Sequence, residues 1–435
     1  MKKIISALTL GAMIAGAAFA DVSINLNFRQ RANLYTTTGG EGLTAKKTAL
    51  FTDAYSGSGS DNLAISLSGD IVSFDMQLVT DASTTNEKLW RSKKFAATVF
   101  LGPVELFGGL WADGKLNGAY RAKSDVDAGN LEGMDFEWKK LGSGFKNSPS
   151  FFCDNLVQPV NTKGESYALG ATYKLGLDNG AVNFNAAYIT NADSSEKTTA
   201  KDTGSLRGHG FSFIADGRFD GLGQAELVLK YGSSQQNKKD GDANAPAMAF
   251  GLYAQPSITR NLILTVGGAG SMVDGAFTDY SVDLRARYQV IPKKLSVSSF
   301  HSYSALTDAG VDSSLSNETT KGIADGSAVT NGKCGGTTIK RDQILSNNLM
   351  VRYNVNDTLS VFGIVADMIC MGDNKGVKVD DAIVQLRASA WAQFYADKNN
   401  SVAVGLVFSS YNFTDANNGK AVNMIAIPVI FRVKM

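Results

Sequence analysis

Two histidines, three cysteines and a series of regularly spaced arginines are the residues of this sequence that could do chemistry. His209 stands in Gly208-His209-Gly210 and His301 in Phe300-His301-Ser302-Tyr303. Histidine can serve as a general base near neutral pH, and Asp216, Asp308 and Ser302 are near the two in sequence. That nearness is weak evidence, and no Gly-x-Ser-x-Gly elbow is present. A strand histidine on a wet surface is more often ordinary, so no enzyme is expected. Cys153, Cys334 and Cys370 lack Cys-x-x-Cys spacing, and no His-x-x-x-His or His-Glu pair occurs, so no metal is expected. In an oxidising compartment two of the cysteines could pair, and spacing does not say which. Gly267-Gly268-Ala269-Gly270 and Gly39-Gly40-Glu41-Gly42 lack the following Gly-Lys-Ser/Thr of a phosphate loop. They are expected to be bends or loop chain, and no cofactor is implied.

The arginines carry more information, because they alternate with apolar residues. Tyr280, Val282, Leu284, Ala286, Tyr288 and Val290 alternate with Ser281, Asp283, Arg285, Arg287 and Gln289. Val22, Ile24, Leu26 and Phe28 alternate with Ser23, Asn25, Asn27 and Arg29; Val72, Phe74, Met76 and Leu78 alternate with Ser73, Asp75 and Gln77. Arg352 and Arg387 fall in two further runs of this kind. A period of two marks strands that are apolar on one face and polar on the other. The runs 278–290 and 381–395 exceed the ~5–6 residues of globular strands and reach the ~9–11 of a tilted spanning strand. Aromatics bracket the apolar rows: at ~40° tilt, Tyr280 and Tyr288 would lie ~20 Å apart along a membrane normal.

The connections alternate in length. Short turns are expected at 69–70, 102–103, 178–180, 220–223, 259–261, 292–294, 356–358 and 397–400, where Gly, Asn, Asp or Pro supplies hairpin chemistry. Longer polar connections are expected at 32–61, 80–93, 113–165, 191–208, 232–246, 271–277, 305–345, 369–380 and 412–420. Such alternation describes an all-β, antiparallel transmembrane barrel of about 18 strands (about 16 to 20), with short periplasmic turns and long extracellular loops.

The start of the chain and its composition agree. Met1-Lys2-Lys3, an apolar stretch and Ala18-Phe19-Ala20 form a signal peptide, giving 1–20 as leader and 21–435 as barrel. No later apolar run approaches the roughly 20 residues of a spanning helix. Basic and acidic residues balance at 42 and 41, which gives no reason to expect a nucleic-acid partner. The mean hydropathy of −0.08 suits a barrel that is apolar outside and polar inside.

The last strand resembles the C-terminal sorting signal of outer-membrane proteins, with Val433, Phe431, Val429, Ile427 and Ile425 at every second place from Met435. That family usually ends on an aromatic, and the methionine here departs from it, which would suit a source outside the proteobacteria, such as a spirochaete with outer-sheath porins. The chain thus resembles bacterial outer-membrane barrels of porin type. The resemblance implies location in the cell outer membrane, contact with its lipid, and passive diffusion of small hydrophilic solutes. A homo-oligomer is compatible with it. Alternatives are a surface-displayed adhesin or structural barrel, and a barrel hydrolase that uses one of the histidines.

Under this reading Arg29, Asp75, Glu226, Lys230, Asp283, Arg285, Arg287, Arg352 and Arg387 line the pore, because a charge facing lipid at the midplane costs roughly 2–4 kcal/mol. A barrel this wide leaves an aqueous lumen unless plugged, and no plug domain is expected ahead of the first strand. The inward arginines outnumber the acids, favouring anions. Segment 113–165, with Asp125, Asp127, Glu132, Asp135 and Glu137, is the candidate constriction loop. N-terminal sequencing of the protein from an outer-membrane fraction should begin at Asp21; a retained Met1 or a lipid-blocked end would contradict the leader assignment.

Overall fold

A computed structural model describes residues 21–40, 47–55, 62–80, 90–110, 165–192, 209–233, 246–273, 275–306, 311–312, 333–334, 337–338, 340–374, 383–397, 399–413 and 420–435. The first strands are Asp21–Gly40 (β1), Lys47–Tyr55 (β2), Asn62–Ser68 (β3) and Val72–Thr80 (β4). Trp90–Leu101 (β5), Val104–Leu110 (β6), Glu165–Leu177 (β7), Gly180–Ala192 (β8) and His209–Phe219 (β9) follow. Next come Gly223–Ser233 (β10), Pro246–Thr259 (β11), Leu262–Val273 (β12), Ala276–Ile291 (β13) and Leu295–Leu306 (β14). Three two-residue strands, Val311–Asp312 (β15), Lys333–Cys334 (β16) and Thr337–Thr338 (β17), lead to Lys340–Asn356 (β18). Leu359–Asn374 (β19), Ile383–Tyr395 (β20), Ser401–Phe413 (β21) and Lys420–Lys434 (β22) complete the chain.

Each wall strand pairs antiparallel with its neighbour, and β1 pairs with β22 from Asn27↔Lys434 to Gly40↔Val422, which closes the sheet. On its other edge β1 takes β3 along Asp21–Asn27 and β2 along Arg31–Thr38. β2 and β3 therefore occupy one wall position, and the barrel has 18 strands. Closure is what lipid demands, since an open edge would leave backbone N–H and C=O groups without partners.

Two expected connections are corrected outright, and those at 80–93, 305–345 and 369–380 are shortened by strands that begin at Trp90 and Lys340 and end at Asn374. The stretch 32–61 is largely wall: β1 runs on to Gly40 and β2 follows. A register shift between Asn33 and Tyr35 against β22 interrupts the alternation there and hid the strand's second half. The stretch 271–277 is no long connection: β12 ends at Val273 and β13 begins at Ala276, and Gly275 takes φ +79° at the turn. The second hairpin considered within 113–165 lies outside the described residues.

Exposure separates the two faces. Val282, Leu284, Tyr288 and Val290 are exposed, whereas Arg285, Arg287 and Gln289 between them are half-buried. The same alternation puts Leu227 and Leu229 outside, with Glu226, Val228 and Lys230 buried inside. A closed sheet has no second layer, so its buried residues are those crowded on the concave face. That face is not uniformly polar, as the alternation suggested. Phe300, Met350, Phe362, Ile364, Trp391, Ala403, Val407, Ala426 and Ile430 form one apolar cluster on the inner side of β14 and β18–β22.

The Gly267–Gly270 cluster is straight strand, not a bend or loop. A Cβ on Gly267 would meet the Tyr253 ring at 2.1 Å, and one on Gly405 would meet Trp391 at 2.5 Å. These glycines let a large inward ring lie flat across the neighbouring strand.

Leu284→Arg should cost about 2–4 kcal/mol of barrel stability at a lipid-facing site, whereas Arg285→Leu should leave assembly intact. Heat-modifiable electrophoretic migration reads this out, and the reverse ranking would mean the register is displaced by one residue.

Candidate functional site: the inner wall

The inward polar residues divide into two sectors. On β3–β10 the described carboxylates lie close to donors. Asp75 accepts from the Ser66 hydroxyl at 2.7 Å, and Glu105 forms an ion pair with Lys174. Asp216 accepts from the Asn183 amide at 2.9 Å. Glu226 and Lys230 share the inner row of β10 and are 6% and 2% exposed. Burial that deep is tolerated only for groups that interact with others.

The facing sector carries arginines. Arg285 and Arg287 on β13, Arg352 on β18 and Arg432 on β22 occupy inner rows. The Arg285 guanidinium lies 4.7 Å over the Phe300 ring. Arg352 stacks between Phe362 at 5.7 Å and Tyr395 at 5.9 Å. Its N–H groups donate to Asn354 Oδ1 at 3.3 Å, Ser360 Oγ at 3.2 Å and the Tyr395 hydroxyl. The Tyr395 hydroxyl donates onward to Gln393 Oε1 at 2.8 Å, and Gln393 is 1% exposed. Arg352 is thus held rigidly by neutral acceptors and aromatic faces, which fix the cation without cancelling its charge.

Arg287 and Arg352 open into a cavity of about 700 Å³ at the short-turn end of the barrel, with Ser296, Lys293 and Lys294 also on its wall. The Nε of Arg287 is buried without a hydrogen-bond partner. Asp357 and Asp397 reach the same cavity. The Asp397 carboxylate accepts from the backbone N–H groups of Asn399 and Asn400 at 2.6 and 2.9 Å, tying it to its own turn. Asn354 Nδ2 donates to the Lys293 carbonyl at 2.7 Å, joining the β13–β14 turn to β18. The cavity can therefore present positive charge on a preorganised frame.

Of the expected pore residues, Arg285, Arg287 and Arg352 are brought into one sector, and Asp75, Glu226 and Lys230 lie in the other. Arg29, Asp283 and Arg387 have placed backbones, in register with Arg432, Gly267 and Ala366, while their side chains lie outside the described residues. Asp125, Asp127, Glu132, Asp135, Glu137 and Cys153 are outside the described residues altogether. Sequence reasoning missed Glu105, Asp216, Lys174 and Arg432. The same period of two marks them, as with Arg432 between Phe431 and Val433.

Two of the partners that the sequence offered to the histidines, Asp216 and Ser302, are engaged or oriented elsewhere. Asp216, near His209 in sequence, is bonded to Asn183 inside the barrel. His301 is paired with Leu284 and faces outward, whereas Ser302 pairs with Asp283 on the other row of the pleat. His301 Nδ1 lies 2.8 Å from Asn347 Oδ1, and Asn347 Nδ2 donates to Asp367 Oδ2 at 2.9 Å. These three residues occupy adjacent strands on the outer face. Asp308 lies outside the described residues.

No family model and no curated protein matches this sequence. Among solved structures, the chain is similar to the outer membrane channel DcaP of Acinetobacter baumannii, at 10% identity, TM-score 0.42, and 96% and 98% of the two chains covered. It is also similar to OpdQ of Pseudomonas aeruginosa, at 10% identity, TM-score 0.46, and 96% and 99% covered. A third is an anion-selective porin from Comamonas acidovorans, at 12% identity, TM-score 0.44, and 95% and 99% covered. The class assignment rests on the chain's own wall. A closed 18-strand barrel with an apolar outer surface is an outer-membrane β-barrel.

Proposed function

We propose that this barrel is a porin-like channel for passive diffusion of small hydrophilic solutes, with anions favoured. The observation that carries the reading is the inner sector of Arg285, Arg287 and Arg352, where Arg352 is held by neutral acceptors beside the cavity that Arg287 also lines. An 18-strand wall is wider than its own side chains can fill, which supports an aqueous path. Charges on a low-dielectric wall focus the field in that path and bias which ions enter. Fixed guanidiniums do this better than mobile ones, because no reorganisation is needed as the ion passes.

Arg285→Gln with Arg287→Gln should shift the reversal potential in a salt gradient toward cations, with only a modest change in conductance. The shift should shrink near 1 M salt, where the Debye length is about 3 Å. If the double variant keeps the wild-type reversal potential while deletion of residues 124–138 moves it, selectivity belongs to the acidic segment and not to the wall. A folded barrel without conductance would defeat the channel reading and favour surface display.

A further inference from the structure

We infer that the cavity at the short-turn end of the barrel binds a small organic dianion whose two acid groups stand apart, one at each of two guanidiniums. The observation is a pair of cations at two depths of one cavity, Arg352 and Arg287. Ser296 on β14 lies directly opposite Arg352 on β18, and Ser298, two residues further along β14, lies directly opposite Arg287 on β13. Two strand spacings of ~4.8 Å and a two-residue stagger of ~6.8 Å set the arginine Cα atoms ~12 Å apart. The strand between them carries serines, which are small enough to leave that span open.

Each pole keeps unused donors. At Arg352, Nε and Nη2 are taken by Asn354, Ser360 and Tyr395, while the two N–H groups of Nη1 have no partner among the described residues. At Arg287, Nε is buried without a partner, and so is the hydroxyl of Ser298 across from it, a residue only 6% exposed. Buried donors are seldom left without an acceptor, and an acid group at each pole supplies the oxygens. The charge agrees. Arg287, Arg352, Lys293 and Lys294 reach the cavity against Asp357 and Asp397, a surplus of two positive charges. The Asp397 carboxylate is bonded to its own turn and does not compete for the arginines.

The mouth of the cavity is built to present its lysines. Lys293 has φ 62°, and among the described residues it is the one non-glycine with a positive φ. A conformation that residues with side chains avoid persists only where the surroundings fix it. Here Lys294 N–H donates to the Ile291 carbonyl at 2.9 Å, and Asn354 N–H donates to the Lys294 carbonyl at 2.8 Å. Fixed cations at a mouth raise the local concentration of anions. Inside, a one-headed anion meets one guanidinium, whereas a two-headed one that spans the serines makes its second contact at high effective concentration. The inference rests on the channel reading for access to this end of the lumen, and adds the class of solute retained there.

The test is calorimetric titration of the purified, folded full chain with glutarate, 3-phosphoglycerate, sulfate and butyrate, at about 0.1 M salt, where charges more than ~10 Å apart are largely screened. Sulfate carries the charge of glutarate on one centre, and butyrate carries a single acid group. The tighter two-headed anion should bind about tenfold better than butyrate and several-fold better than sulfate. Which of glutarate and 3-phosphoglycerate it is identifies the second acid group as carboxylate or phosphate. Arg287→Gln and Arg352→Gln should each bring it to within about twofold of butyrate, with heat-modifiable migration unchanged. Equal affinity for sulfate, no binding of either two-headed anion, or an advantage that survives both substitutions would overturn the inference. If a variant fails to fold, the comparison of anions on the unaltered chain still decides it. Binding is read without conductance. A chloride-passing channel that does not prefer a two-headed anion defeats this inference alone, and a barrel that binds one without conducting defeats the channel reading alone.

Discussion

The fold depends on one requirement: in lipid, no backbone hydrogen bond can be left to solvent. The joint between first and last strands meets it. There Leu26 N–H donates to the Met435 carbonyl at 2.9 Å and Met435 N–H returns to Leu26 at 2.8 Å. Once the sheet is closed, the period of two does the rest. Each strand contributes one row to lipid and one to the interior, and the concave row is the crowded one. Rings such as Tyr253 and Trp391 find room on that row because Gly267 and Gly405 face them.

The interior divides its charge. On one side, carboxylates and cations lie near one another or near hydroxyl and amide donors, as with Glu105 and Lys174. On the other, Arg352 is set among Asn354, Ser360 and Tyr395. In a structural role an arginine is commonly matched by a carboxylate, whereas here neutral groups fix its position and leave its field in the lumen. His301, Asn347 and Asp367 reverse the usual distribution by joining polar side chains across the outer face.

Much of this was legible in the sequence. Alternation from Tyr280 to Val290 located a strand that the structure extends to Ala276–Ile291, and it placed Leu284 and Arg285 on opposite rows. Where alternation is interrupted, legibility stopped. The irregularity at Asn33–Tyr35 hid the rest of β1, and the tight turn at Gly275 was absorbed into the longer connection expected at 271–277. The glycines of Gly267–Gly270 looked like loop chain because their reason, an aromatic ring on the next strand, is not local. The apolar cluster around Phe300 and Trp391 is a property of curvature, which period alone does not encode. The contacts of Asn347 with His301 and Asp367 were out of reach as well. His301, Asn347 and Asp367 are far apart in sequence, and only strand pairing makes them neighbours.

The central claim is a water-filled path through a closed barrel with an arginine-bearing wall. Single-channel recording of the purified protein in planar bilayers, with a potassium chloride gradient across the membrane, addresses it most directly. The account predicts stable conductance steps and a reversal potential on the chloride side of zero. A folded protein that gives no steps, or one whose reversal potential lies on the potassium side, would contradict it.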